Sequence, residues 1–207
     1  MNTQIYSRNL PHILPEGAIY FVTFRLYGSI PRIKLSQLKE KFEFQKIQFR
    51  QDGLKILSLT QEYQHNKELL LEQITEGPQY LHIPTVSNII KKQIHKHDNI
   101  YYELICYCIM PNHVHLILDT SKQINNGKPY FPIHKILKLI KGASANYCNK
   151  ELHRTGAFWM EESYDHYIRT NEELDNIHLY ILDNPVKAKL VNQWLEWPGT
   201  YSKYPPE

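Results

Sequence analysis

The chain has 207 residues, 42% of them hydrophobic, with a formal net charge of +3. That is enough for one well-buried core, and no run of about 18 apolar residues provides a membrane span. Met1 to Pro15 lacks the charged-then-apolar pattern of a signal peptide, and Cys106, Cys108 and Cys148 are odd in number. Reduced thiols in a cytoplasm are therefore the expectation.

Ala18 to Tyr27 alternates as a strand, with Tyr20, Val22, Phe24 and Leu26 on one face and Phe21, Thr23, Arg25 and Tyr27 on the other. Leu35 to about Phe49 and Gln61 to about Ile74 read as helices, and their charge and glutamine content suggests surface elements. Pro84 suits the first position of a third helix carrying Ile89, Ile90 and Ile94. Tyr101 to Ile109 and His113 to Leu118 form an antiparallel hairpin about Pro111-Asn112. A helix from about Ile133 to Leu152 buries Ile133, Ile136, Leu137 and Ile140. Tyr164 to Arg169 is a short strand. Thr170 and Glu173 make a capping box for a helix reaching about Asp183, with Asn184 read as the N-cap of a further helical stretch starting at Pro185. The order strand, helix, strand, strand, helix, strand is that of a split βαβ, ferredoxin-like α+β domain: a central antiparallel sheet with helices on one face and the other face open. Residues 1–207 read as one domain, with a helical elaboration at about 35–75 and an extended tail at about 194–207.

His113-Val114-His115 is the stretch that points to chemistry. In an extended strand the two imidazoles share a face and Val114 takes the other, so both rings can reach one divalent ion. On the capped helix, Leu174, Ile177 and Ile181 form the buried stripe. Tyr180 lies beside that stripe, and Asn184 is one turn further on. An edge tyrosine is also an ordinary packing residue, and Tyr164 and Tyr167 compete for any catalytic role. Two thiols and two imidazoles, from Cys106, Cys108, His113 and His115, would alternatively suit a structural Zn²⁺, although the spacing is unlike zinc fingers and the neighbours are apolar. Six lysines, Lys122, Lys128, Lys135, Lys138, Lys141 and Lys150, fall between Thr120 and Lys150 with no acidic residue. Such a block fits either a phosphate-binding surface or a solvated helix face.

Met110-Pro111-Asn112-His113-Val114-His115-Leu116-Ile117-Leu118 resembles the signature of the single-tyrosine HUH transposases, in which U is a bulky apolar residue. Within them the chain is most similar to the REP-associated tyrosine transposases, relatives of the insertion-sequence-200 type. Tyr20 to Arg25, Phe158-Trp159 with Ser163 to Arg169, and Tyr180 to Ala188 agree with the family in the same order. The stretch from about Leu35 to Thr75 is longer than the family pattern suggests.

The resemblance implies a metal-dependent single-stranded DNA transposase acting at hairpin-associated sites. Tyr180 would be the nucleophile, forming a 5′-phosphotyrosine and releasing a 3′-hydroxyl. His113 and His115 would hold Mg²⁺ or Mn²⁺, with Asn184 as third ligand. Arg25, Lys138 and Lys141 are candidates for DNA phosphates. A relaxase-like nicking endonuclease without strand transfer and a catalytically silent DNA-binding protein are the alternatives. Single-stranded or hairpin DNA is the expected partner; a homodimer stays open.

Overall fold

A computed structural model describes residues 3–7, 11–73, 76–124 and 127–206. Its backbone begins with a two-stranded antiparallel ribbon, β1 (Thr3–Ser7) and β2 (Pro11–Pro15). The elements that follow are β3 (Ile19–Arg25), α1 (Arg32–Gln48), α2 (Gly53–Gln73), α3 (Pro84–His95), β4 (Glu103–Ile109), β5 (His113–Asp119), α4 (Ile133–Glu151), β6 (Tyr164–Ile168), α5 (Asn171–Lys187) and β7 (Thr200–Ser202). Ile74 and Thr75, the expected end of the helical elaboration, lie outside the described residues.

The main sheet has the antiparallel order β6-β3-β5-β4-β7. Without β7, that is the strand order of the split βαβ plan, with α3 and α4 as its two crossover helices. Strand alternation divides the residues as the sequence pattern predicts. Tyr20, Val22 and Phe24 of β3 and Val114, Leu116 and Leu118 of β5 join Val86, Ile90 and Ile94 of α3 and Ile136 and Ile140 of α4 in one apolar layer. Each fully buried aliphatic side chain there contributes about 1.5–3 kcal/mol.

The second face is not open, which corrects the expectation of helices on one face. Phe21, Ile105, Cys106 and Ile117 are apolar on that side, and α5 covers them with Leu174, Ile177 and Ile181. Burying those strand residues requires a partner layer, and α5 is the amphipathic helix left to supply it.

Helix α5 begins as read, with the Thr170 hydroxyl accepting from the Glu173 amide at 3.1 Å. The reciprocal half of the box is absent, because the Glu173 carboxylate accepts instead from the Arg169 amide at 2.7 Å and meets His166 at 2.7 Å. The helix also runs through Pro185 to Lys187, so Asn184 is an interior residue and not an N-cap. A proline two residues from a helix end removes one amide donor without ending the helix.

The tail is less free than an extended wrap. Strand β7 pairs with β4, and the Trp197 indole donates to the Ile109 carbonyl at 2.9 Å. Lys203 and Tyr204 both reach the Glu103 carboxylate, at 2.6 and 2.7 Å. Lys122 pairs with the same carboxylate, and Lys122, Lys203 and Tyr204 together hold it well below the usual carboxylate range, at about 2.

Candidate active site

The two imidazoles of β5 lie under α5 at one end of the sheet, 1% and 0% exposed for His113 and His115. Register places His115 opposite Thr23 and His113 opposite Arg25. The His113 and His115 Nε2 atoms are 2.9 Å apart. Tyr180, on α5, has its ring centroid 5.5 Å from that of His115; Phe21 stacks on His115 at 5.7 Å and meets Tyr180 edge-on at 6.3 Å, so the three rings form one cluster. Tyr164 touches Phe21 edge-on at 5.9 Å and stacks on His166, whereas Tyr167 packs against the opposite apolar layer.

The hydrogen bonds around the imidazoles assign their tautomers. The Asn112 amide donates through Nδ2 to the Leu71 carbonyl at 3.1 Å, so its Oδ1 faces His113 Nδ1 at 2.5 Å and accepts from it. The Thr23 hydroxyl donates to Glu68 Oε1 at 2.9 Å, so its oxygen accepts from His115 Nδ1 at 2.8 Å. Each ring then carries its proton on Nδ1, leaving two Nε2 lone pairs facing each other. Burial keeps both rings neutral, lowering His113 to about 3 and His115 well below its ordinary value.

Two unprotonated nitrogens in contact repel unless a cation lies between them. Their separation suits neighbouring positions on an octahedral ion, where ligands at about 2.1 Å are about 3 Å apart. Asn184 is fully buried and its Oδ1 has no hydrogen-bond partner, a vacant oxygen of the kind a hard ion takes. The donor set thus fits Mg²⁺ or Mn²⁺. The zinc alternative fares differently. No three His, Cys, Asp or Glu side chains gather as a metal-holding group among the described residues, so the thiols do not join the imidazoles. Cys108 instead donates to Met110 Sδ and accepts from the Thr200 hydroxyl, and burial pushes its thiol up to about 12.

Helix α2 was legible only as a surface element, and it supplies much of the surroundings. Besides Glu68 and the Leu71 carbonyl, Glu72 Oε1 accepts from the Tyr180 hydroxyl at 2.8 Å and lies 3.5 Å from Asn184 Nδ2. Burial, followed by the nearby Glu68 and Glu72 carboxylates, raises the Tyr180 phenol above its ordinary range. Burial likewise pushes Glu68 up to about 7. Asn112 reads in sequence as a turn residue and Thr23 as a face neighbour of Arg25. Their work as partners of the imidazole Nδ1 atoms has no sequence signal beyond adjacency to the motif and the strand register.

The three cations expected at DNA are scattered. Arg25 is 6% exposed, with its guanidinium donating to Ser29 at 3.1 Å, so it lies on no open face. Lys138 is exposed on α4, and Lys141 donates to the Glu161 carbonyl and the Ser163 hydroxyl. Helix α4 packs on the layer opposite the imidazoles.

The profile of the family described as "Transposase IS200 like" matches residues 81–184, half of the chain. The chain belongs to that family. The match starts after α2 and ends at Asn184. A putative REP-associated tyrosine transposase of Haemophilus influenzae is 28% identical over 106 residues, 50% of this chain. The chain thereby spans 59% of that relative, less than two thirds of its length. The solved structure of a REP-associated tyrosine transposase bound to a REP hairpin shares the fold, with a TM-score of 0.55 and 18% identity, over 95% of this chain and 81% of that one.

Proposed function

We propose that this IS200-like transposase cleaves and rejoins single-stranded DNA at hairpin-associated sites, with Tyr180 as nucleophile. The observation that carries the reading is the Tyr180 ring 5.5 Å from His115, beside two Nε2 atoms 2.9 Å apart and the unpartnered Oδ1 of Asn184. His113, His115 and Asn184 would hold a Mg²⁺ or Mn²⁺ ion. Such an ion supplies charge neutralisation at the scissile phosphate.

The chain's own groups do the rest. Tyr180 Oη forms a bond to the phosphorus as the bond to the 3′-oxygen breaks, giving a 5′-phosphotyrosine and a free 3′-hydroxyl. Glu72 Oε1, already accepting the phenol hydrogen at 2.8 Å, can take that proton and return it to the leaving oxygen. Because the covalent bond conserves the phosphodiester, another 3′-hydroxyl can reverse the attack and join two strands. Lys138 and Lys141, on the far layer, are proposed contacts to DNA away from the cleavage point; Arg25 could reach only a phosphate drawn into the site. The REP-hairpin complex of the structural relative supports hairpin DNA as the partner.

The test is a gel assay of end-labelled hairpin DNA with the wild type and Tyr180→Phe, with and without Mg²⁺. A Mg²⁺-dependent covalent adduct and joined products with the wild type alone are expected. An adduct formed by Tyr180→Phe would remove Tyr180 from the role, and cleavage without joining would favour the nicking enzyme.

A further inference from the structure

Helices α1 and α2 lie outside the stretch matched by the family profile, and their sequence reads as solvated surface. Yet one stretch of α2 bonds directly to Tyr180 and Asn184 and, on the imidazole side, to Asn112 and Thr23, the Nδ1 partners of His113 and His115. Glu68, Leu71 and Glu72 stand at i, i+3 and i+4, the spacing that puts three residues on one side of a helix. Leu71 is buried against Ile30 in the loop after β3, with Leu35 of α1 and Leu70 beside it, which seats that side against the loop and α1.

Each contact removes an alternative arrangement. A free Asn112 amide could turn by 180° and present Nδ2 to His113, which would move the ring proton to Nε2; the Leu71 carbonyl accepts from Nδ2 and holds Oδ1 toward the ring. A free Thr23 hydroxyl could donate to His115 Nδ1 with the same result; Glu68 accepts that hydrogen and turns the oxygen lone pair toward the ring. A free Asn184 amide could turn its oxygen toward the helix hairpin; the Glu72 carboxylate accepts from Nδ2 and repels Oδ1, so the oxygen stays unpartnered on the other side. The same carboxylate oxygen fixes the Tyr180 hydroxyl.

We infer that Glu68 and Glu72, with the Leu71 carbonyl between them, are positioning residues that hold both imidazoles as Nδ1–H tautomers and aim the Asn184 oxygen at the same ion. Helix α2 is thus a working wall of the catalytic site. This rests on the reading of His113, His115 and Asn184 as metal ligands. Outer partners of this kind are worth about 10–100-fold in metal affinity.

The tautomers can be read without metal or activity, from long-range ¹H–¹⁵N spectra of the ¹⁵N-histidine-labelled full chain. Mn²⁺ affinity is then measured by titration followed by electron paramagnetic resonance. The wild type should show Nδ1–H at both rings. Glu68→Leu should release the Thr23 hydroxyl, shift His115 toward Nε2–H, leave His113 unchanged and weaken Mn²⁺ by about 10–100-fold. Glu68→Gln keeps an acceptor oxygen and should restore the tautomer. Thr23→Val should disturb His115 from the β3 side and Thr23→Ser should not, a second route if Glu68→Leu folds poorly. Glu72→Leu should leave both tautomers in place and still weaken Mn²⁺. An unchanged His115 tautomer in both Glu68→Leu and Thr23→Val, or wild-type Mn²⁺ affinity in Glu72→Leu, overturns the inference. Nδ1–H tautomers that respond as described, in a protein whose Mn²⁺ binding ignores His113 and His115, would uphold the positioning network and overturn the ligand reading.

Discussion

The two faces of one strand divide the labour of this molecule. On β5, Val114, Leu116 and Leu118 enter a layer closed by α3 and α4 that is made mainly of aliphatic and aromatic side chains. His113 and His115 enter the other layer, where Ile117 lies in an apolar patch under α5 but the strand end is walled by amides, hydroxyls and carboxylates. Both layers are buried. The difference is that the first is filled mainly by apolar side chains whose volume must match, whereas the second gathers polar side chains at the strand end that depend on one another for hydrogen bonds. Most of the apolar burial lies in one layer and the proposed site at one end of the other, so substitutions on the two sides should fail in different ways.

The sharpest contrast is expected at His115. His115→Gln should abolish the Mg²⁺-dependent covalent adduct while circular dichroism still shows a cooperatively folding protein; a retained adduct would break the division. At the next residue along β5, on the other face, Leu116→Ala should cost about 2–5 kcal/mol in chemical denaturation. The folded fraction should still bind Mn²⁺ with unchanged affinity.

A subtler effect follows from pH. The unfolded histidines protonate near their ordinary 6.5, but burial holds folded His113 down to about 3, and burial with the neighbouring His113 holds His115 well below its ordinary value. Their contribution is fully present above 6.5 and is lost as pH falls from there. Glu68 acts oppositely: raised to about 7, it contributes below the ordinary carboxylate value of 4.5 and loses that contribution as pH rises through about 7. Two imidazoles outweigh one carboxyl, so the Tm of the metal-free protein should fall from pH 6.5 to pH 5. Replacing both histidines by glutamine should flatten or reverse that slope. The smallest effect should come from the far layer. Lys138→Gln should reduce the salt dependence of DNA binding by about one counterion and leave the cleavage rate of bound substrate unchanged.

Most of the sheet was legible because alternation is a local property. The sequence Tyr20-Phe21-Val22-Thr23-Phe24-Arg25 alone tells which side chains share a face, and the motif around His113 carries its chemistry in adjacent residues. Tyr180 was singled out by the resemblance of the Tyr180 to Ala188 segment to the family; its place at the edge of the stripe of Leu174, Ile177 and Ile181 suits an ordinary packing residue equally well. What was not legible depends on where segments meet. Nothing in Arg25 reveals that it will be buried within electrostatic reach of Tyr63 on α2, and Glu68 and Glu72 look like any solvated pair on a charged helix. The covering of the second sheet face was readable in principle: Phe21, Ile105 and Ile117 are too apolar to be left in water. Asn184 before Pro185 has the local chemistry of a helix start, and only the packing of α5 along the sheet carries the helix through it.

The positions of Glu68 and Glu72 set a rule for how this protein can change its length. Each residue turns a helix by about 100°, so two side chains four apart differ by about 40° in direction, and five apart by about 140°. One residue gained between them would send one carboxylate away from the site. Extra residues at the Phe49–Asp52 bend, far along the hairpin, would leave both in register. Drift in length among related chains should therefore collect at that bend and stop short of the last two turns of α2.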